Sequence, residues 1–367
     1  MTPLAPINFP KAYKEILPEL SKAFEGFLLK GEYVGKSTYT DLFESQVKEF
    51  TGAQYVIACK SGTAALQLAL LAAGIEPGDE VITVANTYYA TVHAIRSVGA
   101  VPVFCDILAN TGLMDPDKAE EKINKKTKAI LPVHLYGLPV DLGRLRIICE
   151  KYNLKLIEDC AHAFGSLYQG TPIGVDADFA CFSLYPTKNL GAFGNAGMIL
   201  TKSVANAKRI RQLIYFANDK RDSFDPKAIH ARIDPLQACL LSINLKHFPD
   251  AAQHRKDISK IYFNRLQSWV RMLPALTSDE VTPYLFPIFV ENRDALISYI
   301  RSRGIFLQIH YDINLHTLDQ FGGSELGVLP MTEQHNREVM SLSVHPSISR
   351  DDAELICASI IDFIKQS

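Results

Sequence analysis

Four short segments carry side chains that could share one chemical task, and each lies at the end of an apolar, strand-like run or in the turn after it. The first is Lys60-Ser61-Gly62-Thr63-Ala64-Ala65-Leu66. Small residues there let the backbone approach an anion, the free N–H groups of a helix start would bind a phosphate, and Thr63 adds a hydroxyl. The second is Asn86-Thr87-Tyr88-Tyr89-Ala90-Thr91, where an aromatic ring could stack on a planar ligand. In the third, Glu158-Asp159-Cys160-Ala161-His162, two acids sit at the mouth of a buried run and need a cation or hydrogen-bond donors. A carboxylate so placed can pair with a protonated pyridine nitrogen and keep the ring an electron sink. The fourth runs from Phe182 to Gly191. Ser183 could reach a phosphate, and Lys188 lies among aromatics and glycine, where partial desolvation keeps an amine nucleophilic.

Taken singly, each segment has a plainer explanation. A Ser or Thr at a helix start is an ordinary N-cap, a lysine is commonly a surface residue, and a tyrosine is as often core or edge as ligand contact. Other patterns fall away on spacing. Gly31-Glu-Tyr-Val-Gly35-Lys36-Ser37 has its glycines one residue too close for a phosphate loop of nucleotide hydrolases, and no buried strand precedes it. Gly191, Gly194 and Gly197 lack the dinucleotide spacing. Neither an HExxH nor an EF-hand pattern occurs, so no catalytic metal is expected.

The elements that must hold these segments follow from periodicity. From about residue 40 to 200, short apolar runs alternate with helical patterns. Strands are expected at 55–59, 80–84, 101–104, 129–133, 155–158, 179–183 and 197–201, with helices at 41–50, 63–73, 91–98, 116–123 and 142–152. Strands that are apolar throughout belong to a mainly parallel sheet covered on both faces, hence an α/β class. Helices follow at 235–245 and 253–266. Then come a strand at 285–290, a helix at 294–303, a short strand near 307–310 and a final helix at 351–365, enough for a small α+β domain. The expected division is 1–247 for a large domain and 248–367 for a small one.

With 367 residues the chain can bury two such cores, and a formal net charge of -2 offers no general attraction to nucleic acid or an anionic membrane. The longest apolar stretches fall short of a membrane span, and Met1-Thr-Pro-Leu-Ala-Pro does not read as a signal peptide. Seven scattered cysteines without a CxxC pair suggest buried free thiols and a cytoplasmic protein.

Together, and in this order, the four segments resemble the DegT/DnrJ/EryC1/StrS family of sugar aminotransferases. So do Gly78-Asp79-Glu80-Val81-Ile82, Pro132-Val133-His134-Leu135-Tyr136-Gly137, Arg232-Ile233-Asp234-Pro235 and Ile309-His310-Tyr311. The resemblance implies a fold-type-I pyridoxal-phosphate (PLP) enzyme, with pyridoxamine phosphate as the aminated form. Lys188 would bind the cofactor as a Schiff base and shuttle a proton; Asp159 would pair with the pyridine nitrogen; His162 would sit near the phenolic oxygen, where relatives often have Gln. Tyr88 would stack on the ring, and Gly62, Thr63 and Ser183 would hold the phosphate. It also implies a homodimer in which the partner reaches the phosphate from the position of His230, usually Asn. Tyr33, His310 and Tyr311 would line the sugar side. Asn195 stands where relatives often carry an acid. The expected substrates are L-glutamate and a nucleotide-linked keto-sugar, for surface polysaccharide or natural-product amino sugars. A cyclitol aminotransferase, a sugar dehydratase and a PLP-binding regulatory protein are the alternatives; dehydratases of this type have His in place of Lys188.

Overall fold

The alternation between residues 55 and 201 builds one seven-stranded sheet in the computed structural model, which describes residues 3–35, 37–215, 225–321 and 327–366. Three helices, α1 (Phe9–Tyr13), α2 (Leu17–Lys30) and α3 (Thr38–Thr51), precede strand β1 (Tyr55–Cys59). Helix α4 (Gly62–Ala72) leads to β2 (Glu80–Val84), α5 (Tyr89–Ser97) to β3 (Val101–Cys105), and α6 (Pro116–Glu121) to β4 (Thr127–Ile130). Helix α7 (Leu142–Tyr152) then enters β5 (Lys155–Asp159). A small hairpin of β6 (Leu167–Tyr168) and β7 (Thr171–Pro172) precedes β8 (Phe179–Ser183) and β9 (Gly197–Thr201). Helices α8 (Val204–Tyr215), α9 (Pro235–Lys246) and α10 (Phe248–Leu266) carry the chain to β10 (Arg271–Met272) and β11 (Leu285–Phe289). After α11 (Arg293–Ser302) and α12 (Pro330–Glu338), β12 (Val339–Ser343) completes a three-stranded antiparallel sheet, and α13 (Arg350–Gln366) closes the chain.

The large sheet has the order β1-β9-β8-β5-β4-β2-β3, and β9 alone runs against the others. The carboxyl ends of β1, β2, β5 and β8 therefore gather at one edge, where open α/β sheets bind ligands. All four segments singled out above begin there. Alternation explains why these strands are apolar throughout. Val56 and Ala58 face one layer of core while Ile57 and Cys59 face the other, and Ala180 and Phe182 are likewise opposed to Phe179 and Cys181. All seven cysteines are buried and free. Among the described residues, no helix is long and apolar enough to cross a membrane.

Several expectations change. The segment near 307–310 is not a strand: it makes a single bridge, Gln308 to Ser341, before His310 and Tyr311 turn into a cavity. The strand that does pair with β11 is β12, unanticipated because Ser341 and Ser343 interrupt its apolar run. Both serines are buried with partners: Ser341 Oγ lies 3.1 Å from His310 Nδ1, and Ser343 Oγ donates to Pro6 O. The N-terminal residues were assigned to the large domain, yet Leu4 bridges Ile305 and Asn8 N–H donates to Ser347 Oγ (3.0 Å), so they pack with the C-terminal layer. For the rest of the chain we propose the division at His247, which ends α9 and begins α10.

Gly197 pairs with both Cys59 and Ser183 at the ligand edge. A Cβ there would lie 2.4 Å from the carbonyl carbon of Ser61. Gly197→Ala should cost about 1–3 kcal/mol through overpacking against backbone, read as a lower denaturant midpoint with unchanged slope.

Candidate active site

Strand β5 delivers Asp159 to the edge with its carboxylate buried. Thr91 Oγ1 donates to Oδ2 (2.8 Å) and Ala161 N–H to Oδ1 (3.1 Å), while Thr91 and Thr87 share a further hydroxyl contact of 2.9 Å. Burial still holds the Asp159 pKa above the ordinary carboxylate value, opposed only in part by those donors and by Lys188. The preceding acid, Glu158, points the other way. It meets His134 Nε2 at 3.1 Å, and Val140 N–H donates to His134 Nδ1. Of the two acids, only Asp159 lines the cavity.

The loop after β8 presents Lys188, whose Nζ lies 4.5 Å from the centre of the Tyr284 ring. Asn189 braces that loop by donating to Thr282 O (3.0 Å), Phe164 O (3.3 Å) and His162 O (3.4 Å). Asn244 Nδ2 donates to Gly191 O at 2.7 Å. Asn189 is therefore structural, and the lysine is positioned from the C-terminal layer as well as from its own strand.

Ser61 caps α4 by accepting Ala64 N–H (3.1 Å), so the N–H groups of Gly62 and Thr63 precede any carbonyl partner within the helix. A Cβ on Gly62 would stand 2.7 Å from Ser183 Cβ; glycine alone lets β8 and the turn close on one anion. His162 is buried, its ring 4.1 Å from that of Tyr284. Tyr136 N–H donates to Nδ1 (3.4 Å), which leaves the ring proton on Nε2. Burial, then Lys188 and His310, hold His162 well below its usual pKa, so it is neutral. His310 is pushed down to about 4 by burial and by Lys188.

Of the eleven residues chosen from the sequence, nine line a single cavity of about 360 Å³: Gly62, Thr63, Tyr88, Asp159, His162, Ser183, Lys188, His310 and Tyr311. The other two stand apart. Tyr33 donates its hydroxyl to Leu28 O (2.6 Å), and His230 lies exposed outside the cavity of its own chain. Asn195 also lines the cavity. Sequence reasoning passed over Thr91, though its spacing of four from Thr87 on a helix start was available, and Tyr284, for which no local signal exists. A buried carboxylate with fixed donors, an amine in the same cavity and an N–H-rich turn closed by glycine together fit a phosphorylated pyridine aldehyde. The cavity lies within the size range of small-molecule sites.

Comparison with known proteins agrees with this reading. Residues 15–361 match the DegT/DnrJ/EryC1/StrS aminotransferase family. The chain is 37% identical to a dTDP-3-amino-3,6-dideoxy-alpha-D-galactopyranose transaminase of Aneurinibacillus thermoaerophilus, over 95% of this chain and 94% of that protein. It is 34% identical to the erythromycin biosynthesis sensory transduction protein EryC1 of Saccharopolyspora erythraea, over 96% and 98%. Among solved structures, Streptomyces venezuelae DesV in complex with a ketimine intermediate superposes with a TM-score of 0.95 at 31% identity, covering both chains fully.

The raised pKa of Asp159 means that its own contribution to the stability of the cofactor-free fold is fully present below the ordinary carboxylate range and is lost as pH rises through the raised value. At neutral pH, Asp159→Asn without cofactor should melt no lower than wild type, while its cofactor retention collapses; melting curves with and without cofactor measure both. Gly62→Ala should weaken cofactor binding roughly tenfold or more by displacing Ser183, followed by equilibrium titration of absorbance.

Proposed function

The chain belongs to the DegT/DnrJ/EryC1/StrS aminotransferase family, and from that premise we propose that it transfers an amino group from L-glutamate to the ketone of a nucleotide-linked sugar or deoxysugar, with Lys188 as the residue that holds the cofactor. One observation carries the proposal: the Lys188 amine and the buried Asp159 carboxylate share one cavity with an N–H-rich turn. Relatives with dTDP-sugar transaminase names support the substrate class. A lysine at position 188, rather than histidine, favours transamination over dehydration. We place the enzyme in the cytoplasm, where seven free thiols stay reduced.

The cofactor, pyridoxal phosphate, supplies an electron sink for the bond-breaking at the amine-bearing carbon. The protein supplies the rest. Asp159, fixed by Thr91 and Ala161, would hold the pyridine nitrogen and keep a proton on it by Coulomb attraction. Gly62, Thr63 and Ser183 anchor the phosphate. His162 offers its Nε2 proton to the phenolic oxygen, since Tyr136 occupies Nδ1. Lys188 would hold the cofactor through its amine and, once displaced by the donor amine, would serve as base and acid for the 1,3-proton shift across the imine nitrogen. Tyr284 beneath Lys188 restricts where that amine can swing. His310 and Tyr311 face the sugar side, with His310 neutral above about pH 4.

We further propose a homodimer. Tyr33 and His230 fall outside the cavity of their own chain, and helix α2 with the following turn exposes Phe24, Leu28, Leu29 and Val34. A second copy packed there would cover apolar surface and bring His230 to the partner's phosphate.

Wild type reconstituted with cofactor should show a visible absorbance band that borohydride removes, and Lys188→Ala should show none that borohydride fixes to protein. Adding L-glutamate should convert the band to that of the aminated cofactor, and a nucleotide-keto-sugar should restore it. Restoration by a cyclitol ketone but by no nucleotide-sugar would reassign the substrate.

A further inference from the structure

Three residues that line the active-site cavity, His162, Tyr284 and His310, are held by one residue standing behind its wall. Tyr136 is fully buried, and its backbone sits at φ 62° and ψ 0°. A residue with a Cβ adopts those left-handed values only where its surroundings enforce them. Each polar group of Tyr136 serves a different element. Its N–H donates to His162 Nδ1 in the turn after β5, and its carbonyl accepts Tyr284 N–H (2.9 Å) at the entry to β11. Its hydroxyl donates to the carbonyl of His310, in the segment that bridges β12.

The direction of the hydroxyl bond follows from proton counting. A phenol has one proton to give and a carbonyl can only accept, so that proton lies toward His310. The same oxygen is 2.9 Å from His335 Nε2, so the imidazole must be the donor there. Burial, then Arg271, push His335 down to about 3, which leaves it neutral with its single ring proton on Nε2. A directed chain results, from His335 on α12 to the Tyr136 hydroxyl to the His310 carbonyl, and each bond polarises the next. The start of that chain is packed in place: a Cβ on Gly112 would lie 2.5 Å from His335 Cε1, and the Phe289 ring lies 4.8 Å from the imidazole. His310 is tethered a second time, through Nδ1 to Ser341 Oγ at 3.1 Å. Main chain and ring are thus both fixed, with Nε2 the ring nitrogen left uncommitted among the described residues.

We infer that the Tyr136 hydroxyl is a positioning group for the acceptor half of the reaction, setting His310 and, through its ring, the keto-sugar. The Tyr136 backbone separately sets His162 and Tyr284 on the cofactor side. This role rests on the aminotransferase reading above. Since the backbone survives any substitution, Tyr136→Phe separates the two functions. A general loosening of the fold would slow both half-reactions alike, because donor and acceptor share one cavity.

The test uses the holoenzyme and follows cofactor absorbance through each half-reaction, amination by L-glutamate and return by the nucleotide-keto-sugar that restores wild type. In Tyr136→Phe the second-order constant for return should fall roughly tenfold or more, while that for L-glutamate stays within about threefold of wild type. The double variant with His310→Ala should lose no more than His310→Ala alone, because the hydroxyl acts through that ring. A crystal structure of Tyr136→Phe, which needs no turnover, should show the His310 main chain displaced with His162 and Tyr284 in place. If Tyr136→Phe does not fold, His335→Leu, which removes the hydroxyl's donor from another element, should show the same one-sided loss. Equal losses in both half-reactions, additive losses in the double variant, or an unmoved His310 would overturn the role. Inactivity of wild type toward every nucleotide-keto-sugar would instead unseat the substrate reading, and the variant structure would still decide what the hydroxyl positions.

Discussion

One carboxylate, buried where an ion is expensive, organises the site. Asp159 reaches the ligand edge because β5 is central in the sheet, and both faces of that sheet are covered. Two fixed donors soften the cost without removing it, so the pKa of Asp159 stays raised. The uncompensated part of that cost favours a cation, and in the proposed function the pyridinium of the cofactor would provide one. Stability of the empty fold and affinity for cofactor are thus opposed at a single residue.

The second constraint is reach across layers. Lys188 belongs to the large sheet by sequence but is held by Thr282, Tyr284 and Asn244 from elements beyond it. Asn189 makes three bonds to backbone carbonyls of two different segments, and so fixes the loop from both sides. An active amine must approach and leave one carbon repeatedly; a rigid loop with a single swinging side chain meets that need better than a mobile loop.

Much of the fold was legible in residues 55 to 201 because covered parallel strands are continuous apolar runs, and helices between them have their own period. Strands 55–59, 80–84, 179–183 and 197–201 were placed to the residue. Legibility fell in the C-terminal layer. Buried serines disguised β12, whereas Leu307–His310 looked like a strand yet bends toward the cavity. Leu307–His310 pairs with β12 only once, at Gln308 and Ser341, whereas β12 pairs along its length with β11.

At the site, residue types and order along the chain pointed to Gly62, Thr63, Asp159, Ser183 and Lys188, which the fold gathers in one cavity, since each sits beside a strand end and strand ends converge in such a sheet. That convergence is a property of topology, and local pattern is enough to predict it. What Glu158 meets on the opposite face, which nitrogen of His162 carries the proton, and what lies beneath Lys188 were decided only by tertiary structure. Strand pleat sends the two acids to opposite faces, the Tyr136 backbone selects the tautomer, and Tyr284 arrives from 96 residues beyond Lys188. Residues distant in sequence carry no local signature of the contacts they will make, so their part in the chemistry emerges only once the chain has folded.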